Sequence, residues 1–156
     1  MKITRARTSQ LGKSASFKDL VAIMDILLGR DGCPWDRKQT HRTLIKYLRE
    51  ESGEVAAAVR KGDWENLQEE LGDVLLQVVF HSALARRAGR FGIADVIKGI
   101  NSKLVRRHPH VFGGKKLSTP AQVLVEWKKI KISEKAGKPA GRKKPASRSS
   151  RRRHER

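Results

Sequence analysis

Two long segments separated by only two residues set the strongest constraint on how this chain can fold. In residues 40–61 and again in residues 64–87, apolar residues recur three and four positions apart, which is typical of amphipathic helices. Gly62 can end the first helix in a left-handed conformation, and Asp63 can cap the start of the second. Because so short a connection turns the chain back on itself, we predict that the two helices pack antiparallel.

Carboxylates interrupt the apolar stripes of both helices. Glu51 lies within the stripe of the first helix, and Glu54 lies one turn away on an adjacent face. Glu70 and Asp73, followed by Gln77, form a polar seam along the second helix. The first pair lies 11 and 8 residues before the glycine of the turn, and the second pair lies 8 and 11 residues after it. Antiparallel packing should therefore bring all four carboxylates to one level of the bundle.

One acidic pair on a helix is usually a solvated face, but two mirrored pairs inside apolar stripes favour another interpretation. Carboxylates gathered at one level repel each other unless a cation lies between them. Oxygen ligands suit Mg²⁺ or Mn²⁺, which keep coordination positions for water and phosphate. The sequence therefore favours a divalent-metal site. Gly72, inside the polar seam, predicts the close approach of a neighbouring helix.

The rest of the core also predicts helices. Apolar spacing and capping residues indicate helices at about residues 17–28, 93–107 and 120–134. Gly, Pro and Asp predict a loop over residues 29–39. No segment has the alternation of a strand ladder, so we predict the all-α fold class, as a helical bundle with short connections.

The net charge of +19 is concentrated at the two ends of the chain. Residues 1–15 carry +4 and residues 135–156 carry +9, whereas residues 16–134 carry only +6. We expect a basic disordered N-terminus and a basic disordered tail around one helical domain. The tail is either a solvated segment or a non-specific contact for nucleic acid, formed by counterion release.

Composition also bears on location. No apolar run approaches the roughly 20 residues needed to span a bilayer, so we expect no membrane partner. The N-terminus lacks the apolar core of a secretory signal. Cys33 is the only cysteine, which excludes an internal disulfide, fits a reducing cytoplasm and favours a loop-packing role for this residue. We expect a cytoplasmic protein.

Three stretches resemble one family when they are taken together. The stretch LREESGEVAAAVRKGDWENLQEELGDVLLQVVFHSALA contains ExxE at 51–54 and ExxD at 70–73, and GCPWDRKQTHRTL and KLVRRHPHVFGG flank it. These motifs resemble the MazG nucleoside triphosphate pyrophosphohydrolases from about residue 17 to residue 135. The resemblance implies an all-α bundle that dimerises and uses Mg²⁺ to split NTPs or dNTPs into the monophosphate and pyrophosphate.

The resemblance also implies roles for the acidic residues. Glu51, Glu54, Glu70 and Asp73 would be the metal ligands. Glu50 would support the site or orient the attacking water as a catalytic residue.

Basic residues further along the chain are candidates for binding the substrate. Lys103, Arg106 and Arg107 lie on adjacent turns of one predicted helix and can stabilise charge on phosphates. The resemblance points to Lys103 and Arg107 as groups that contact the phosphates. It also implies that Trp127 stacks a base and that Lys131 meets phosphate, although an ordinary basic helix anchored by a core tryptophan is the alternative.

Other interpretations stay open at this stage. Many MazG proteins carry two such domains, and this chain has one copy, which resembles the first. Gly53, within the acidic segment, departs from the family pattern. The chain could be a weakly active or inactive nucleotide-binding regulatory module with a nucleic-acid-binding tail, or a bare structural bundle. The length of the helix predicted over residues 64–87 favours a homo-oligomer, either a dimer or a dimer of dimers. His81 is interpreted as a hydrogen-bonded core histidine.

Overall fold

The computed structural model describes residues 9–136, and no strand occurs among them. The predicted all-α class is confirmed. A short helical turn at residues 9–11 is followed by seven helices: α1 Phe17–Leu27, α2 Pro34–Arg37, α3 His41–Lys61, α4 Trp64–Arg87, α5 Ile93–Arg107, α6 Pro109–Phe112 and α7 Pro120–Ala136. None of the helices in this described part is both long and apolar enough to cross a membrane. The chain divides between Asn101 and Ser102 into two compact units.

The helical hairpin of α3 and α4 dominates the first unit, as predicted. Thr40 begins α3 with a capping box, in which its hydroxyl accepts a hydrogen bond from the Thr43 backbone N–H at 3.2 Å. Gly62 ends α3 at φ 68°, a left-handed conformation that favours glycine. Asp63 caps α4 by accepting from the backbone N–H of Asn66 at 3.1 Å. These local bonds produce the two-residue turn, and α3 and α4 pack against each other along their length.

The hydrophobic core of the first unit lies at the end of the hairpin away from this turn. Helix α1 packs against α4 there. The buried core consists of side chains from α1, α3 and α4 and from the residue after α1: Met24, Leu28, Leu44, Val79, Phe80 and Ala83. Arg87 donates to the carbonyl oxygen of Leu28 at 2.9 Å, and Arg86 pairs with Asp25, so polar contacts also hold the C-terminal end of α1 to α4.

The second unit contains the end of α5, the single-turn helix α6 and helix α7. Helix α5 ends before Pro109, as predicted, because proline disfavours helix at the preceding residue. Two groups of ion pairs join the segments of the second unit. Arg106 and Arg107 both reach Glu134, and Lys115 reaches Glu126 at 2.7 Å. The lysine holds the pKa of Glu126 below its usual value.

Some local predictions were wrong. Residues 29–39 are not entirely a loop, because Pro34 occupies the first position of the four-residue helix α2, where its missing N–H costs nothing. Helix α6 was not predicted. Gly72 does not serve a close approach within the described chain, since a Cβ placed there would meet nothing within 4 Å.

The structure describes only part of the two terminal segments that the sequence predicts to be disordered. Residues 9–15 of the N-terminal segment are described, and helix α7 runs to Ala136, two residues past its predicted end. The tail prediction therefore falls mostly on residues 137–156, and these, like residues 1–8, lie outside the described residues.

Replacing Asp63 with alanine should destabilise the hairpin. The substitution removes the side-chain acceptor for the Asn66 N–H, and the loss of an N-cap costs about 1 kcal/mol in the free energy of unfolding. Urea denaturation followed by circular dichroism measures this difference. Asp63→Asn keeps an acceptor oxygen and should stay close to the wild type. Equal destabilisation by both substitutions would contradict the capping role.

Candidate metal centre and phosphate-binding residues

Three carboxylates from the two hairpin helices converge. Glu51 of α3 and Glu70 and Asp73 of α4 each offer one oxygen, and the three oxygens lie within 4.8 Å of one another. Glu70 is buried, with 8% of its surface exposed, and the other two are partly buried. We call these three residues the carboxylate cluster. The sequence predicted this convergence from the symmetric spacing about the turn.

Glu54 lies beside the carboxylate cluster, although it does not belong to the group of three. Burial is the largest cause that raises the pKa of Glu51, and the charges of Asp73 and Glu54 raise it further. Burial also raises the pKa of Glu70, followed by the charge of Glu54 and a hydrogen bond with it. Glu54 therefore lies close enough to both glutamates to raise the pKa of each. Of the four predicted ligands, three converge and the fourth is adjacent.

The chemistry of these donors fits a hard divalent cation. Carboxylate oxygens are the ligands that Mg²⁺ and Mn²⁺ prefer, and no soft sulfur or imidazole ligand is among them. Like charges this close raise each other's pKa when nothing neutralises them. A cation held here would reverse that effect. The residues present therefore fit a divalent metal, and three protein ligands leave positions for water and phosphate.

Glu50 has a different environment from its neighbour in sequence. Its side chain is exposed, and it is not among the groups that shift the pKa of Glu51 or Glu70. Successive helix residues point about 100° apart, so Glu50 and Glu51 cannot face the same ligand in the same way. Glu50 is therefore not one of the three residues that converge in the carboxylate cluster.

The predicted phosphate-side residues belong to the second unit, where two of them share one carboxylate. Arg107 donates to Glu134 through Nε at 3.3 Å and through one terminal nitrogen at 2.6 Å. Arg106 donates through Nε to the same carboxylate at 2.8 Å. These bonds lower the pKa of Glu134 to about 2, with Arg107 as the largest cause, and raise the pKa of Arg107. Lys103, one turn earlier, is exposed.

Trp127 and Lys131 lie together on α7. The Lys131 ammonium is 5.9 Å from the centre of the Trp127 ring, and His108 contacts the same ring in a T-shaped arrangement at 5.1 Å. The indole ring is partly buried, and its N–H has no hydrogen-bond partner in the described chain. A packing role and a binding role both remain compatible with this environment.

Residues that the sequence analysis left without a role also occupy notable positions. Gln77 continues the polar seam with only 6% of its surface exposed, and its amide oxygen has no partner in the described chain. His81, one turn further, contacts His41 at 2.8 Å between the two Nδ1 atoms, so its partner is a second imidazole. Burial and His41 lower the pKa of His81. The sequence already indicated that His81 continues the polar seam, because positions 70, 73, 77 and 81 are three and four residues apart.

Comparison with known proteins identifies the family. A crystal structure of a mazG-related protein from Thermotoga maritima matches with a TM-score of 0.63 and 33% sequence identity, over 74% of this chain and 98% of that one. This chain belongs to the MazG family. Residues 39–112 match the MazG nucleotide pyrophosphohydrolase domain, a range that contains the carboxylate cluster.

Curated MazG relatives are longer than this chain. The nucleoside triphosphate pyrophosphohydrolase/pyrophosphatase MazG of Thermotoga maritima is 49% identical over 126 residues, which are 81% of this chain and 48% of that protein. The nucleoside triphosphate pyrophosphohydrolase of Escherichia coli K12 is 44% identical over 108 residues, 69% of this chain and 41% of that protein. This chain therefore spans less than half the length of either relative.

The ion pairing of Glu134 predicts a pH range in which the stability of the second unit of this MazG chain changes. A carboxylate whose pKa is lower in the folded state stabilises that state above the unfolded pKa, and the contribution is lost as pH falls towards about 2. A ¹³C NMR titration of the Glu134 carboxyl should show a midpoint near 2, and in Arg107→Gln the midpoint should move upwards. A wild-type midpoint at the ordinary glutamate value would contradict the pairing.

Proposed function

We propose that this MazG chain hydrolyses nucleoside triphosphates, ribo or deoxy, to the monophosphate and pyrophosphate, with Mg²⁺ or Mn²⁺ as the cofactor. One observation carries the proposal: Glu51, Glu70 and Asp73 bring three oxygens within 4.8 Å across the hairpin. Burying mutually repelling carboxylates at one level is unfavourable for the fold alone and favourable for holding a cation. Glu54, adjacent to the cluster, completes the proposed ligand set.

The reaction adds water to the α-phosphorus. A bond forms between the water oxygen and phosphorus, the bond to the bridging oxygen between the α and β phosphates breaks, and pyrophosphate leaves. A divalent cation at the carboxylate cluster would neutralise triphosphate charge and lower the pKa of a water. Glu50, which is exposed and next to the cluster in sequence, is the proposed group that orients this water and accepts its proton.

Fixed cations are proposed to bind the phosphates. Arg107 and Arg106 are held by Glu134 through their Nε side, and a guanidinium has further N–H groups that remain able to donate. Lys103 and Lys131 are exposed ammonium groups on α5 and α7. Phosphate oxygens gain negative charge as the anhydride bond breaks, so preorganised donors of this kind favour the transition state.

The relatives support the same reaction. The Thermotoga maritima and Escherichia coli proteins are both named nucleoside triphosphate pyrophosphohydrolases, and the family match covers the segment with the acidic residues. We extend the proposal to the removal of unwanted nucleotides from the cytoplasmic pool. The location and any contact between the tail and nucleic acid stay predictions from the sequence.

Glu70→Gln should abolish most of the proposed hydrolysis. The substitution keeps the size of the side chain but removes the charge of a buried proposed ligand. Residues that only support the ligands of a metal already change activity by roughly 10–100-fold. We therefore expect kcat/KM to fall by about 100-fold or more. Phosphate release coupled to inorganic pyrophosphatase measures the rate for a panel of NTPs and dNTPs. Chromatography of the products distinguishes the monophosphate from the diphosphate.

Glu65→Gln provides the matched control, because Glu65 is an exposed residue of the same helix and lies outside the cluster. It should retain wild-type activity. A wild-type protein no faster than Glu70→Gln across the panel would contradict the enzyme proposal and favour a regulatory module. If Mg²⁺ and nucleotide also left the melting temperature unchanged, the bare structural bundle would be the better description.

We also propose that the chain forms at least a dimer through α4. Leu71, Leu75 and Val78 recur along one face with 52%, 40% and 37% of their surfaces exposed. This spacing aligns them in a stripe about a third of a turn from the polar seam. A continuous exposed apolar stripe is typical of an interface.

Leu75→Glu should convert the oligomer to a smaller species, since a charge at the centre of the stripe would lose its hydration on association. Light scattering after size-exclusion chromatography gives the molar mass. Leu124→Glu, at another exposed apolar position, on α7, is the control and should leave the mass unchanged. A wild-type monomer would contradict the proposed oligomer.

A further inference from the structure

Glu134 of α7 accepts hydrogen bonds from two guanidinium groups that follow one another along α5. Its Oε1 atom accepts from Nε of Arg106 at 2.8 Å and from Nε of Arg107 at 3.3 Å. A terminal nitrogen of each arginine also lies 2.6 Å from this carboxylate, at Oε1 for Arg106 and at Oε2 for Arg107. Both carboxylate oxygens therefore bind arginine. We call these three residues the arginine clamp.

The arginine clamp brings two like charges together. Successive residues of a helix point about 100° apart, so α5 alone directs Arg106 and Arg107 away from each other. The two guanidinium groups also repel each other, and the negative charge of Glu134 offsets this repulsion because it attracts both. Glu134 thus holds the two arginines beside one another, which neither the helix nor their charges would do.

The carboxylate is the least exposed member of the arginine clamp. The exposed fractions of the side chains are 16% for Glu134, 24% for Arg107 and 52% for Arg106. The contacts with Glu134 use Nε and one terminal nitrogen of each guanidinium. Because a guanidinium is planar and rigid, its other terminal nitrogen points away from this carboxylate and can donate to a second acceptor. Each arginine is therefore oriented on one edge and able to bind an anion on the other.

Two guanidinium groups side by side suit an anion that contains two linked phosphates. Each guanidinium can donate a pair of parallel hydrogen bonds to one phosphate. Two positive charges and one negative charge leave the arginine clamp with a net positive charge, so it still attracts an anion. In the proposed reaction the leaving group is pyrophosphate, which gains negative charge as the anhydride bond breaks. Pyrophosphate is thus the part of the substrate that matches the clamp.

We propose that Glu134 is a positioning residue, which joins Arg106 and Arg107 into one binding site for the pyrophosphate part of the substrate. This inference rests on the proposed triphosphate hydrolysis. It adds Glu134, which acts through the arginines and does not itself touch the substrate. It also makes Arg106 a partner of Arg107 rather than a separate surface charge.

Glu134→Gln gives opposite results under two explanations. The substitution removes the only negative charge of the arginine clamp, so electrostatics alone would strengthen the binding of inorganic pyrophosphate. If Glu134 positions the arginines, its loss lets them separate, and we expect Kd to rise about tenfold, the effect of one lost hydrogen bond to a charged group. Isothermal titration calorimetry of the whole protein with pyrophosphate and Mg²⁺ measures Kd.

Glu126→Gln is the matched control, because Glu126 lies on the same helix and pairs with Lys115 at 2.7 Å. Its side chain is 15% exposed, close to the 16% of Glu134, so each substitution removes a comparable ion pair from the second unit. Only Glu134→Gln should weaken pyrophosphate binding. Equal weakening by both substitutions would indicate a merely structural role and would overturn the proposal. Unchanged or tighter binding by Glu134→Gln would do the same.

Arg106→Lys covers the case in which Glu134→Gln fails to fold. Arg106 is 52% exposed, so this variant should fold, and lysine keeps the charge but not the planar pair of donors. Kd for pyrophosphate should rise several-fold. Kd for orthophosphate, which one guanidinium can bind alone, should change little. An unchanged Kd for pyrophosphate would overturn the site of two arginines.

Kinetics separate this inference from the proposed reaction. In an active enzyme, Glu134→Gln should raise KM for every triphosphate and the inhibition constant of pyrophosphate by a similar factor, since all triphosphates share this part. A wild type that binds pyrophosphate but hydrolyses no triphosphate would contradict the reaction and still support the arginine clamp. A wild type that is folded by circular dichroism but does not bind millimolar pyrophosphate would overturn the clamp.

Discussion

Repulsion among three carboxylates is the constraint around which the first unit is built. Glu51, Glu70 and Asp73 would push α3 and α4 apart if the hairpin were held only at their level. It is instead held on both sides of them, by the capped turn at Gly62 and by the hydrophobic core around Leu44. The carboxylates therefore lie between two fixed ends of the hairpin, and the scaffold sets the distance between them. Such preorganisation lowers the cost of assembling a metal site.

The polar seam of α4 changes character along its length. Near the turn it carries the acidic residues Glu70 and Asp73, one turn later the neutral amide of Gln77, and after another turn the imidazole of His81. Glu70 and Gln77 are buried, and partly satisfied polar groups inside a protein lower its stability, so the stability of the fold does not explain the seam.

The register of the hairpin could be predicted because a two-residue turn leaves no freedom in how α3 and α4 align. The symmetric spacing about Gly62 then determines which residues meet. The sequence pattern could not predict which carboxylates converge, because Glu51 and Glu54 both fit it. Only the packing of the helices places Glu54 beside the group of three. The short helix at Pro34 was missed because one turn has no periodicity to detect. The contact between Arg107 and Glu134 joins residues 27 positions apart, and no local pattern encodes it.

The arginine pair also shows how charge is controlled in the second unit. Glu134 is partly buried, and its shared contact with Arg106 and Arg107 fixes the orientation of the two guanidinium groups. The pKa of the Glu134 carboxyl is about 2, so this group is ionised at ordinary pH. Two positive charges and one negative charge leave this group with a net charge of +1. Internal pairing therefore orients the arginines without removing the positive charge that a phosphate would need.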